Sequence, residues 1–214
     1  MGFSRRNDST HEHLLRISMP DTSLAEMIKR DLADLQRLQQ RVLPVKVGAA
    51  VRDSVRENFR KGNFYGGEAW KQPLRNTLGF KGVSGQYGPL LSGSNHLMMS
   101  TDYLPMTGKV LIRNLVEYAS VHNDGDQIPV TQKMRKYFWA KKYEAEELRG
   151  KGSAEADFWK NMALKKPGGR IKIPRRHFLG PAAAVDKTVS TIINNELRNF
   201  IKQHSNGKVT AKTH

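Results

Sequence analysis

The chain has 214 residues, 38% of them apolar, and carries 36 Lys and Arg against 20 Asp and Glu, a formal charge of +16. That length allows one ordinary domain with a sizeable insertion, and the polar balance favours arms, loops and assembly surfaces over a single compact globule. The absence of cysteine excludes disulfides, thiolate metal sites and a cysteine nucleophile. No run approaches the ~18–20 apolar residues of a membrane-spanning helix, and MGFSRRNDSTHEH lacks the apolar centre of a secretory signal. The expectation is a protein made and used in a cytoplasm, with no membrane partner. Its positive field suits a polyanion such as nucleic acid, and equally an acidic partner surface.

In chain order, residues 1–20 read as a flexible basic arm. Ser23 and Glu26 have capping-box spacing, and Leu24, Met27, Ile28, Leu35, Leu38 and Val42 follow at helical intervals. Pro44 is expected to end or kink that helix. A second helix is predicted over 45–61, with Val47, Val51, Val55 and Phe59 on one face and Gly62 as its stop. The glycine-rich stretch 62–93, with Tyr65, Trp70, Phe80 and Tyr87, reads as a long non-helical loop pinned by Trp70. Residues 96–104 and 108–122 are predicted as a strand hairpin turning at Gly108, followed by a turn at Asn123-Asp124-Gly125.

Residues 131–170 differ in character. Lys and Arg are interleaved with Tyr137, Phe138, Trp139, Tyr143, Phe158 and Trp159, and GKGS interrupts a helical pattern. This reads as a basic aromatic insertion. Basic residues beside aromatics can hold phosphates and stack bases, while bunched aromatics equally make a face for subunit packing. Residues 170–174 fit a short edge strand. Pro181 fits the first position of a last helix, with Val185, Val189, Ile192, Ile193, Leu197, Phe200 and Ile201 on its apolar face. Residues 205–214 read as a disordered tail.

Catalysis has no constellation to rest on. His11 and His13 lack further ligands, and His122 with Glu117 has no nucleophile beside it. Neither phosphate-binding glycine motif occurs. The expectation is a non-enzyme without cofactor or metal. The sharpest local signature is Ile173-Pro174-Arg175-Arg176-His177-Phe178-Leu179-Gly180-Pro181, a strand-to-helix corner with Phe178 and Leu179 inward and both arginines facing solvent or a partner.

Four segments in order resemble the virion morphogenesis (tail-completion) proteins of Mu-like tailed phages. They are Gly67-Glu68-Ala69-Trp70, Leu90-Leu91-Ser92-Gly93 running to Leu97 and Ser100, Tyr118-Ala119-Ser120-Val121-His122-Asn123-Asp124-Gly125, and the Ile173–Gly180 corner. The resemblance spans roughly 45–202. In this chain Leu97 comes later after Gly93, and the gap from His122 to Pro174 is longer than in the shortest members, so interfaces are not carried over to 131–170.

The resemblance implies a structural subunit of the virion tail or neck, assembled in the bacterial host cytoplasm as a homo-oligomeric ring, a hexamer being one candidate. It would meet tail-tube or neck proteins and packaged DNA. It further implies that Trp70, Tyr118, His122, Gly125, Pro174, Phe178, Leu179 and Gly180 maintain the fold. Arg175 and Arg176, with Tyr137, Phe138, Trp139 and Trp159, are the candidate assembly interface. The alternative is a nucleic-acid-binding protein using the basic insertion and tail. The expected fold is α+β: a small, mostly antiparallel sheet flanked by long helices, with a basic helical insertion. Residues 21–130 and 171–204 would form one core domain.

Overall fold

A computed structural model of the protein describes residues 21–77 and 87–206. The arm 1–20 with its two histidines, Phe80, and the chain beyond 206 lie outside the described residues. The architecture is α+β, with the strands divided between two antiparallel two-stranded ribbons.

Helices α1 (Asp21–Arg37) and α2 (Leu43–Lys61) are joined by a π-helical turn, Leu38–Val42. Of the two outcomes expected at Pro44, an end or a kink, the end does not occur. Proline has no N–H for the carbonyl four residues back and its ring crowds that carbonyl. The π turn opens the ladder at this point, with the Leu43 N–H reaching Leu38 O. The Gln40 carbonyl accepts instead from the Gly108 N–H at 3.3 Å. The helix begins earlier than the expected capping box, since α1 already includes Asp21.

The core forms around α2. Val47, Val51, Val55 and Phe59 are buried at their four-residue spacing against Trp70, Leu97, Met98, Ala119 and Phe178. Phe59 meets Trp70 edge-on at 5.8 Å and Phe178 at 4.7 Å, and each fully buried aromatic contributes about 2–3 kcal/mol. Gly62, at φ 66, closes α2 with its N–H on Asn58 O. The chain then doubles back, and the Trp70 N–H donates to Gly62 O at 2.7 Å. Trp70 thus holds the loop, although a helical turn, α3 (Leu74–Thr77), interrupts a stretch expected to be non-helical.

Residues expected to begin a strand instead form α4 (His96–Met99), because Asn95 O accepts the Met99 N–H and winds the chain. The hairpin follows as β1 (Thr101–Met106) and β2 (Lys109–Asn114), turning at Gly108, where φ is 69. The second strand stops well before residue 122. The side chain of Asn114 turns to Leu97 O at 2.7 Å and Thr101 Oγ1 at 3.1 Å, and it accepts from the Val116 N–H at 3.2 Å. Residues 119–122 belong to a short helix, α5 (Ala119–Asp124).

β3 (Asp126–Pro129) pairs with β4 (Arg170–Ile173), from Asp126 opposite Ile173 to Pro129 opposite Arg170. Between them α6 (Gln132–Arg149) and α7 (Ala154–Ala163) fold on each other as a helical hairpin. Thr131 and Ser153 cap these helices by accepting from the Met134 and Ala156 N–H groups. The last helix, α8 (Ala183–Asn206), begins two residues after Pro181 and still includes Ser205 and Asn206, which were expected in the tail. It lies along α2, with Lys46 and Glu196 paired at 2.6 Å.

Gly48 marks where α2 meets the first hairpin. A Cβ there would lie 2.3 Å from Tyr103 Cδ2 and 2.8 Å from Val110 Cγ2. Gly48→Ala is therefore expected to destabilise the fold by about 1–3 kcal/mol, the usual range for overpacking. Urea unfolding checks this; an unchanged midpoint would mean that the hairpin is not seated on α2 as described.

Candidate functional site

Two segments some fifty residues apart in sequence form one structural unit. Arg176 N–H donates to His122 O at 2.8 Å. Asn123 Oδ1 accepts from both the Phe178 and Leu179 N–H groups, each at 2.9 Å. Asn58 Nδ2 donates to Phe178 O at 3.3 Å from within the core. Gly125, at φ 76, lies against the same corner: a Cβ there would come within 2.9 Å of the Arg175 nitrogen. Pro174 follows directly on β4, which carries the chain into the corner. Gly180 lets His177 fold over it, since a Cβ would meet His177 Nε2 at 2.5 Å.

The two arginines of the corner differ in role. Arg175 is exposed and lines an open groove with Asp124, Asp126, Arg170 and Lys172. Arg176 is buried and its Nε donates to Lys71 O at 2.9 Å, tying the corner to the loop beyond Trp70. The expectation that both face solvent or a neighbour is therefore corrected. An unanchored buried guanidinium is costly, and the Lys71 carbonyl supplies an anchor that sequence spacing does not reveal.

Tyr118 is exposed and packs edge-on to the half-buried His122 at 5.8 Å. Both side chains, with Leu90, Leu91, Leu97 and Arg176, line a cleft of about 210 Å³. Burial lowers the His122 pKa and the Arg176 charge adds to the effect. The corner thus gathers the Leu-rich segment, the Tyr118–Gly125 segment and the Ile173–Gly180 segment, with Trp70 in the core behind them.

The profile of the phage virion morphogenesis family matches residues 21–198, most of the chain and every element just described. The chain belongs to that family. Membership gives it a structural role in building a phage particle, and association with the virion. No curated protein and no solved structure matches the chain. None of the described helices is long and apolar enough to cross a membrane.

The aromatics of the α6–α7 hairpin divide within this family member. Phe138 is buried and stacks on Trp159 at 5.9 Å, with Tyr137 edge-on to Trp159 at 6.1 Å. Phe138 and Trp159 therefore form the hairpin's own seam and are not a free assembly face, because two helices standing together must bury a shared apolar stripe. Tyr137 is exposed, and the half-buried Trp139 stacks on Tyr143.

Among the described residues, α1, a region omitted from the expected interface, carries an exposed apolar stripe. Leu24, Ile28 and Leu32 are each more than half exposed, and Leu35 continues their line. The three- and four-residue spacing predicts the helix and its apolar face, and does not say what that face meets.

The corner arginines should separate by experiment. Arg176→Ala is expected to destabilise the fold by about 1–3 kcal/mol, whereas Arg175→Ala should change it by less than about 0.5 kcal/mol. Chemical denaturation of both variants decides it; equal losses would contradict their different burial.

Acid should also weaken the fold through His122. Its folded pKa lies below the unfolded value of about 6.5, so the unfolded chain takes up the proton first. The corresponding stability is whole above about pH 6.5 and is lost as pH falls toward and through the lowered folded value. His177 is lowered by burial and by Arg175, and acts in the same sense. His204 is raised by its bond to Phe200 O and acts oppositely from a half-buried position. Thermal melts between about pH 7.5 and 5 should fall with acid, and less steeply in His122→Gln. An identical slope in that variant would remove His122 from the account.

Proposed function

We propose that this chain is a tail-completion or neck subunit that assembles with copies of itself into a ring, with residues 131–170 an insertion standing out from the core. The observation that carries this reading is the bare stripe of α1. Four large aliphatic side chains in line along a helix of about 26 Å form a surface that a soluble monomer normally covers. The family supplies the setting in which other subunits would cover it. The first hairpin adds Leu104, Met106 and Leu111, all exposed, on a ribbon whose outer edges pair with no other strand among the described residues. Such edges invite further strands.

The same chain carries its fold on a separate set of residues. The core around Phe59 includes none of the α1 stripe, so assembly and folding are separable. Ile28→Glu combined with Leu32→Glu should leave a folded protein with an unchanged unfolding midpoint. Light scattering across a concentration series should find a discrete oligomer for the parent chain and a monomer for the double variant. A parent that stays monomeric at every concentration, or a variant that assembles as before, would overturn the reading.

A further inference from the structure

The charge of the α6–α7 hairpin is segregated along its length. Residues 127–143 hold five Lys or Arg and no acid, and residues 158–185 hold seven and no acid. Between them, residues 144–157 hold five Asp or Glu against two Lys or Arg. Because α6 and α7 run antiparallel and rise from one ribbon, both acid-free runs meet at the foot and the acidic stretch forms the tip.

The foot is one continuous piece of structure. The Val130 N–H donates to Gly169 O at 2.7 Å and the Gly168 N–H to Val130 O at 3.2 Å, extending the ribbon up to α6. Arg135 Nε donates to Ala163 O at 2.9 Å and fastens the start of α6 to the end of α7. Lys133, Lys136, Lys165 and Lys166 are exposed around this junction, and Arg170 and Lys172 share the exposed face of β4. None of these six is in an ion pair among the described residues. Cations nearer the tip are paired instead: Lys141 with Glu144, Lys142 with Glu146, and Arg149 with Glu155, each at 2.6 Å.

We propose that the foot of this hairpin is a binding surface for the phosphate backbone of double-stranded DNA, taken without regard to sequence. Six cations outside any ion pair among the described residues, two of them sharing a groove with Asp124 and Asp126, can displace condensed counterions from a duplex, the main source of sequence-independent affinity. Duplex fits better than single strand because the hairpin's aromatics are engaged with one another. Phe138 lies on Trp159, and Trp139 on Tyr143, which leaves Tyr137 and Tyr143 as the exposed rings, each already in contact with another ring of the hairpin. The acidic tip would point away from the duplex, orienting the hairpin on it. This surface is separate from the α1 stripe and does not require the ring.

The test uses the full chain and a labelled random duplex of about 20 base pairs, followed by fluorescence anisotropy from about 50 to about 200 mM salt. The variant combines Lys165→Gln, Lys166→Gln, Arg170→Gln and Lys172→Gln. Its control removes the same charge elsewhere, through Lys109→Gln, Lys151→Gln, Lys187→Gln and Lys202→Gln. The foot variant is expected to bind at least about tenfold more weakly, with a salt slope lower by about one for each cation removed. The control should stay within about threefold of the parent. Equal weakening in both would reduce the effect to net charge and overturn the proposal. So would the absence of duplex binding at the lowest salt, which would assign the foot to an acidic protein surface. Light scattering on the same samples keeps this outcome separate from that of assembly.

Discussion

The fold depends on burying Phe178 at a place where the backbone is neither helix nor strand. Its ring lies on Phe59 in the centre of the core, so its own peptide groups are carried inside with it. A buried peptide group without a partner costs about 1–3 kcal/mol, and neither a ladder nor a helix is available here to supply one. Two asparagines fill the gap: Asn123 accepts the N–H and Asn58 donates to the carbonyl. Asn58 comes from the end of α2 and Asn123 from α5, so this one residue joins three separate parts of the chain. Asn58 also accepts from the Tyr65 N–H, which brings the loop before Trp70 into the same joint.

Much of this could be read in the sequence where the signal was periodic. The Val47–Phe59 stripe, the Gly62 stop, the hairpin turn at Gly108 and the interrupted helices of 131–170 all appear where their spacing placed them. Polar residues whose work is internal were not visible in that way. Asn114 lay inside a predicted strand and Asn123 in a predicted turn, yet each turns its side chain onto backbone groups where an element ends. Asn58 carried a usable sign, since it sits on the apolar face between Val55 and Phe59, where a polar side chain needs a reason. Arg176 was indistinguishable from Arg175 in sequence because both follow Pro174, and burial of one depends on the distant Lys71 carbonyl.

The surfaces follow a division that the core makes possible. Stability is gathered around α2, the inner face of the first hairpin, α5 and the corner, which leaves α1, the outer face of the first hairpin and the α6–α7 hairpin free to vary in chemistry. The first two present aliphatic side chains, the third a graded charge. Separate surfaces on a common core can each be altered without disturbing the others.

The π turn before Pro44 sets the rotational phase between two apolar stripes. Along α1 the stripe steps by three and four residues through Leu24, Ile28, Leu32, Leu35, Leu38 and Val42, and α2 resumes at Val47 with steps of four. The interval from Val42 to Val47 is five, the repeat of a π turn and not of an α-helix. One extra residue is thus accommodated without unwinding the rod, and the bare stripe is held at a set angle to the buried one. Each added or deleted residue in this turn would swing α1 by about 100° about its axis. The direction in which the bare stripe faces, relative to the core, is thus written in a single irregular turn of helix.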